Sequence, residues 1–257
     1  MGKAQRERAD VLLVEQGLAP TQAKAQALLL AGRVFLGEVR VDKAGTLLPR
    51  EATLVLRGEL NPYVSRGGLK LAGALAAFAP HGLDPKGAVA VDVGASTGGF
   101  TDCLLQAGAS RVYAVDVGYG QLHERLRSDP RVVVLERTNA RTLDASAFGG
   151  PVDLVTIDAS FIGLGHLAPA VATMLRRGGW LCALVKPQFE AGRDVVRRGK
   201  GVVRDEGERL TAIASARTAV ETAGFEVVAS ADCVIAGPKG NREHFVLARR
   251  AGDGPTS

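Results

Sequence analysis

Residues 88–186 alternate short apolar runs with helix-forming stretches, and this rhythm constrains the fold more than any other feature of the chain. The runs 89–93, 111–116, 132–136, 152–158 and 180–186 have the length and β-branched content of buried strands. Helical stretches at 100–107, 121–128 and 164–176 separate most of them, and another at 205–223 follows. Two further runs, 225–234 and 243–249, read as closing strands. Alternating strands and helices fold as an α/β, Rossmann-like doubly wound sheet, mostly parallel, with right-handed crossovers. Ligands then lie beyond the carboxyl ends of the strands.

The first of these strands runs into Asp92-Val93-Gly94-Ala95-Ser96-Thr97-Gly98-Gly99, and the second ends on Asp116. A glycine-dense turn between strand and helix brings backbone close to a ligand, and an acid at the end of the next strand can accept hydrogen bonds from ribose hydroxyls. The dinucleotide fingerprint needs glycine where this chain has Ser96, because a pyrophosphate must approach there. A nucleoside cofactor without phosphates, such as S-adenosylmethionine, does not need that glycine. The expected cofactor contacts are Gly94, Ser96, Thr97 and Gly98 towards the methionine portion and Asp116 towards the ribose. Asn139 stands either near the adenine or as a turn-former in Thr138-Asn139-Ala140. The same loop also spells Gly94-x-Ser96-x-Gly98, a nucleophile elbow, with Asp158 and His244 following in hydrolase order. No oxyanion-hole segment of the His-Gly-Gly type precedes it, and a hydrolase leaves Asp116 unexplained.

With 257 residues, 46% of them hydrophobic, the chain has material for one large or two unequal globular units. Cys103, Cys182 and Cys233 are far apart and read as reduced core thiols. His81, His123, His166 and His244 form no ligand cluster, so no metal is expected. The start of the chain is polar and its longest apolar runs are too short to span a bilayer. A cytoplasmic protein with no membrane partner is the expectation, and the oligomeric state stays open. A net charge of +5 and a pI near 9.3 hint at a polyanionic partner. The hint sharpens at 186–204, where Lys186, Arg193, Arg197, Arg198, Lys200 and Arg204 face only Glu190 and Asp194. Gly192, Gly199 and Gly201 make this stretch read as a mobile basic loop, suited to a phosphate backbone.

Before the alternating region lies a smaller module. Helices are expected over 8–16 and from a Thr21 cap to Gly32, then short strands at 33–36, 39–41 and 53–56. Asn61-Pro62 punctuates the chain, so the boundaries read as 1–58 for this module, 59–63 for a linker and 64–257 for the large domain. A helix starting near Ser65, a possible cap, runs towards Phe78. The phrases Arg8-Ala9-Asp10-Val11-Leu12-Leu13, Ala23-Lys24-Ala25-Gln26-Ala27-Leu28 and Ala31-Gly32-Arg33-Val34 resemble the S-four RNA-binding domain, an α+β module. That resemblance implies a helix pair lying against structured RNA. Candidate RNA contacts along the chain are Arg8, Lys24, Arg33, Lys43, Arg66, Arg193 and Arg197.

Asp158 and Lys186 end neighbouring strands, Glu243 begins the last one, and Lys70 lies on the helix before the sheet. Singly, each is a helix cap or a solvated strand end. Together, Lys70, Asp158, Lys186 and Glu243 resemble the Lys-Asp-Lys-Glu tetrad of FtsJ-related ribose 2′-O-methyltransferases. The phrases Ser65-Arg66-Gly67-Gly68-Leu69-Lys70, Asp158-Ala159-Ser160-Phe161-Ile162, Lys186-Pro187-Gln188-Phe189-Glu190 and Gly240-Asn241-Arg242-Glu243 are similar to the TlyA family, whose members are often labelled hemolysins. The resemblance implies an S-adenosylmethionine-dependent enzyme that methylates ribose, of cytidine, in ribosomal RNA or ribosomal subunits. Lys186 is then the general base, with Lys70 tuning it or holding the ribose and the carboxylates orienting both lysines. A free lysine, with a pKa of about 10.4, needs such help at neutral pH. The alternatives are a membrane-active hemolysin, an RNA-binding protein with an inactive second domain, and a serine hydrolase built on Ser96.

Overall fold

A computed structural model describes residues 5–57, 61–237 and 239–252, with the Arg193 side chain left out. Its residues divide into two compact units, Met1–Leu60 and Asn61–Ser257. Within the expected linker, Glu59 and Leu60 lie outside the described residues, as do residues 253–257. Asn61–Tyr63, by contrast, belongs to the second unit.

The first unit contains β1 (Arg6–Arg8), α1 (Ala9–Glu15), α2 (Gln22–Leu30), β2 (Val34–Leu36), β3 (Val39–Arg40), β4 (Leu47–Pro49) and β5 (Leu54–Leu56). Gly17 ends the first helix in the left-handed region at φ +70°, where glycine meets no steric penalty. Thr21 caps α2 as its sequence position predicts, its Oγ1 accepting from the Lys24 N–H at 3.2 Å. Strands β3, β2 and β5 form a small antiparallel sheet, and Leu12, Leu13, Leu28, Leu29, Val34 and Leu54 fill the core. The ribbon of β1 with β4 has no sequence signal, because Arg6-Glu7-Arg8 carries no apolar alternation. Asp10 is fully buried between the helices. Its carboxylate accepts two bonds from the Arg8 guanidinium, at 2.9 and 2.8 Å, and one each from the Gln22 and Gln26 amides. The Arg8 hydrogen bonds hold the Asp10 carboxyl well below the usual carboxylate range, against the opposing effect of burial.

The second unit begins with α3 (Gly67–Phe78), preceded by Ser65, whose Oγ accepts from Gly67 N–H at 3.3 Å. It continues through β6 (Val89–Val93), α4 (Gly99–Gln106), β7 (Arg111–Val115), α5 (Glu124–Arg127), β8 (Val132–Leu135) and β9 (Val152–Ile157). Then follow α6 (Ala168–Met174), β10 (Leu175–Val185), α7 (Pro187–Glu190), α8 (Arg193–Arg198), α9 (Glu206–Thr222), β11 (Phe225–Asp232) and β12 (His244–Arg250). The seven-stranded sheet has the order β11-β12-β10-β9-β6-β7-β8. Its pairings from β10 to β8 are parallel, and β12 runs antiparallel between β10 and β11. Successive residues alternate between two apolar layers, as the period of a strand dictates. Val91, Val155, Leu181, Ala183 and Val246 face α6 and α9, while Ala90, Leu154, Cys182, Leu184 and Phe245 face α3 and α4. Both faces are covered, which is why these strands read as unbroken apolar runs.

Three expectations need correction. The helix expected over 164–176 ends at Met174, because β10 already begins at Leu175, with Arg176-Arg177-Gly178-Gly179 forming an irregularity of register inside it and Gly178 at φ +68°. The helix expected over 121–128 is reduced to α5, since the preceding residues are tied into the loop: Gly120 N–H donates to Glu136 Oε1 at 2.9 Å. The segment 186–204 is not a loop but contains α7 and α8, with Gly192 and Gly199 at the two ends of α8. Glycine at a helix end punctuates rather than breaks it.

Replacing Asp10 by alanine removes four charge-assisted bonds that tie α1, α2 and β1 together. The expected loss is about 2–3 kcal/mol, read as weakened hydrogen-exchange protection in α1 and α2. Protection equal to that of the unsubstituted chain would show that Asp10 does not hold the pair.

Candidate active site

The order of the strands creates the site. The chain leaves β6 towards β7 on one side, while β9 lies on the other, so the turn after β6 stands at the switch point of the sheet. Gly94 in this turn has φ +84°, and a Cβ there would lie 2.9 Å from both the Ala159 nitrogen and the Asp158 carbonyl oxygen. Only glycine lets the loop approach the end of β9 so closely. Ser96 also adopts a left-handed conformation, φ +47°. Its N–H donates to Asp116 Oδ2 at 2.7 Å, and Gly118 N–H donates to Asp116 Oδ1 at 2.7 Å. A carboxylate has about four acceptor positions, so Asp116 is oriented by two backbone donors and retains capacity for two more.

Two cavities open on this edge. The smaller, about 370 Å³, is lined by Asp116, Val117, Gln121, Asn139, Ala140 and Leu167. The larger, about 580 Å³, is lined by Lys70, Lys186, Gln188, Phe189, Lys239 and Glu243, with Arg66 and Thr97 at its wall. Gly94, Ser96, Asp158, Ser160 and Phe161 line both. Asn139 forms the expected turn, its Oδ1 accepting from Arg141 N–H at 3.1 Å, and it also lines the smaller cavity. Gly98 lines neither cavity. Its α-carbon, at φ +98°, is covered by Leu122 and Leu126, so its part is to let α4 pack.

The tetrad comes together as two ion pairs on the wall of the larger cavity. Lys70 Nζ lies 2.6 Å from Glu243 Oε2, and Lys186 Nζ lies 2.7 Å from Asp158 Oδ1. Lys186 also reaches the Asp158 carbonyl at 3.2 Å and Ser160 Oγ at 2.9 Å. Lys70, Lys186 and Glu243 are buried. Glu243 reaches this edge because β12 is antiparallel, so its start lies beside the ends of β10 and β9. The residues around Glu243 are fixed from behind. Asn241 accepts from Val203 N–H at 2.9 Å and donates to the Gly201 carbonyl, and buried Arg209 donates to the Arg242 carbonyl at 3.1 Å. Arg209 and His244 both engage Asp232. None of these supports is visible in a motif.

Beneath the loop, buried Asp92 accepts from Thr101 Oγ1 at 2.7 Å. Burial pushes its carboxyl up to about 7, with the Asp158 charge adding and the Thr101 bond opposing. The nucleophile elbow does not assemble. Ser96 Oγ donates to Gln121 Oε1 at 3.2 Å, Asp158 is paired with Lys186, and His244 is turned to Asp232. Of the candidate RNA contacts, Lys24, Lys43 and Arg66 are exposed, and Arg197 is exposed beside Asp194. Arg8 is held by Asp10, and Arg33 donates to the Arg57 carbonyl. The Arg193 side chain lies outside the described residues. Phe161, fully outside the core at 91% exposure and φ +66°, has its ring 5.2 Å from that of Phe189.

Residues 63–250 match the FtsJ-like methyltransferase family and residues 7–54 match the S4 domain. The chain belongs to the FtsJ-like methyltransferases. It is 43% identical over 251 residues to the 16S/23S rRNA (cytidine-2′-O)-methyltransferase TlyA of Mycobacterium tuberculosis, covering 97% of this chain and 92% of that one. Hemolysin A of Brachyspira hyodysenteriae is 38% identical, over 93% of this chain and all of its own. A solved protein from Streptococcus thermophilus that carries the name hemolysin is 41% identical, with a TM-score of 0.75 over 99% of this chain and 94% of its own. The methyltransferase family spans the whole sheet, and the hemolysin label is a second name within the same group. Among the described residues no helix is long and apolar enough to cross a membrane, and no cluster of metal-binding side chains occurs.

The raised pKa of Asp92 makes a pH prediction. In the unfolded chain the carboxyl ionises near 3.8 and in the folded protein at about 7. The folded state therefore holds the proton more tightly, and stability falls as pH rises from about 4 to 7, then levels off. Asp92→Asn carries no such cost. Its stability relative to the unsubstituted protein is expected to be near parity at pH 4 and higher by on the order of 4 kcal/mol at pH 8. Urea unfolding of both proteins across this range checks it, and parallel profiles would refute it.

Proposed function

We propose that this protein transfers the methyl group of S-adenosylmethionine to the 2′-hydroxyl of cytidine in ribosomal RNA, in the cytoplasm, with residues 7–54 contacting the RNA. The observation that carries the reading is the wall shared by the two cavities: a nucleoside site organised by Asp116 opens onto a site lined by two lysine–carboxylate pairs. The names of the relatives supply the base and the class of RNA.

The chain's residues fit the cofactor. Asp116 keeps two acceptor positions for ribose hydroxyls, Asn139 and Leu167 line the far end where a base fits, and the Gly94–Thr97 turn faces the larger cavity. When bound there, the sulfonium supplies an electrophilic methyl group. The protein's own task is to position the ribose hydroxyl and remove its proton. An ammonium has three donors and no acceptor; that of Lys186 donates to the Asp158 carbonyl and Ser160 Oγ and forms an ion pair with Asp158 Oδ1. In its amine form Lys186 gives up one of these bonds and has a lone pair for the 2′-hydroxyl proton. Lys70, held by Glu243, supplies a fixed positive charge beside the alkoxide as it forms. Each lysine is anchored by a carboxylate, so little reorganisation accompanies the transfer. Arg66, at the cavity wall, and Arg197 are placed on the RNA side of this reading, with Lys24 and Lys43 serving the S4 domain.

Two substitutions separate binding from transfer. Lys186→Ala is expected to lower methyl transfer to ribosomal RNA by about 10²–10⁴-fold while leaving S-adenosylmethionine affinity, by calorimetry, within about twofold of the original. Asp116→Ala is expected to weaken that affinity by about tenfold or more, since bonds to a charged group are worth 1.5–3 kcal/mol. Full transfer by Lys186→Ala would remove the lysine from the mechanism, and no heat on adding S-adenosylmethionine to the unsubstituted protein would remove the cofactor.

A further inference from the structure

The larger cavity carries more positive charge than its own carboxylates balance. Four cations line it, Arg66, Lys70, Lys186 and Lys239, against two anions, Asp158 and Glu243. Both anions are taken, since Glu243 holds Lys70 and Asp158 holds Lys186. Arg66 and Lys239 are exposed, and neither side chain has a hydrogen bond or an ion pair among the described residues. By contrast, the exposed Arg125, Arg131, Arg176, Arg198 and Arg242 are each paired with a carboxylate. The Lys239 side chain has a defined place. It stands in a turn closed by Gly240 N–H donating to the Gly237 carbonyl at 2.8 Å and Gly237 N–H donating to the Asn241 carbonyl at 2.9 Å. Gly237 lies directly on Glu243, where a Cβ would be 2.6 Å from Oε1, so the turn abuts the tetrad. Lys239 Nζ and Cδ lie 3.8 and 3.9 Å from the position a Cβ would take on Gly201, which lines the same cavity. The Asn241 side chain joins the two segments through its bonds with Val203 and Gly201.

We propose that Lys239 binds a backbone phosphate next to the ribose that is methylated, with Arg66 taking a second. This rests on the function proposed above. The methyl donor cannot balance the surplus, because its sulfonium, ammonium and carboxylate leave it a cation. The balancing charge must therefore come from the acceptor. A nucleotide within an RNA strand has one phosphodiester on its 5′ oxygen and one on its 3′ oxygen. The second of these sits on the carbon beside the one that bears the 2′-hydroxyl. Each phosphodiester carries a single negative charge, so the two cations left over match the two phosphates that flank the ribose. An ammonium offers donors and charge but no acceptor. Lys239 therefore fixes where the strand lies without reading its sequence, while the tetrad acts on the hydroxyl.

The test uses the full chain, S-adenosylmethionine and ribosomal RNA, with kcat and KM measured over a range of salt. Lys239→Gln removes the charge at the cavity. Lys86→Gln removes the same charge from an exposed position before β6, at the opposite edge of the sheet, and serves as the control. Lys239→Gln is expected to raise KM for the RNA about three- to tenfold, with kcat at saturating RNA and the calorimetric affinity for S-adenosylmethionine within about twofold of the original. The slope of log kcat/KM against log salt is expected to flatten by about 0.7, the contribution of one phosphate contact on a single strand. Lys239→Arg is expected to restore both KM and slope. An unchanged KM in Lys239→Gln, or a salt slope altered no more than by Lys86→Gln, overturns the assignment alone. Weaker S-adenosylmethionine binding in Lys239→Gln also overturns it, by giving the lysine to the methionine carboxylate. An unsubstituted protein that methylates no ribose in ribosomal RNA overturns it together with the function on which it rests.

Discussion

The buried ion pair of Lys70 with Glu243 is the constraint on which the site depends. It joins residues 173 positions apart, one on the helix before the sheet and one at the start of the last strand. Burying two charges is costly, and removing one partner strands the other at a cost of about 3–5 kcal/mol. The pair persists because both side chains have no better place to be: β12 is locked between β10 and β11, and α3 is packed through Leu71, Ala74 and Phe78. Its geometry follows from the sheet, and the shape of the larger cavity follows from it.

Around that pair the molecule separates two demands. The edge proposed for the cofactor is made by backbone: a turn that only glycine at 94 permits, and two N–H groups that aim Asp116. The edge proposed for the substrate is made by long side chains whose charged ends are held by carboxylates. Backbone gives rigidity where a fixed ligand must be gripped. Side chains give reach where a bulky partner must approach from outside. Support for the second edge comes from residues that never touch the cavity, such as Arg209 and Asp232 behind Glu243.

Much of this was legible in the sequence, for physical reasons. Asp158 and Lys186 follow strands whose apolar period is unbroken, so their side chains had to emerge at the same edge. The pairing of Lys70 with Glu243, rather than with a nearer carboxylate, was not legible, since it depends on the position of β12 inside the sheet. Gly98 looked like a cofactor contact because glycine permits both ligand approach and helix packing, and here packing against Leu122 and Leu126 uses it. The segment after Lys186 looked like a loop because its glycines were read as breakers, although they stand at helix ends.

The place of β12 also sets an order of events. It is the last strand in sequence, yet it sits inside the sheet and not at its edge. Chains emerge from synthesis amino-terminus first, so β6 to β10 can assemble while the neighbour of β10 and the residue that holds Lys70 are still missing. The half of the site built on Gly94 and Asp116 can thus form early, and the half that holds Lys70 closes only with the final strand.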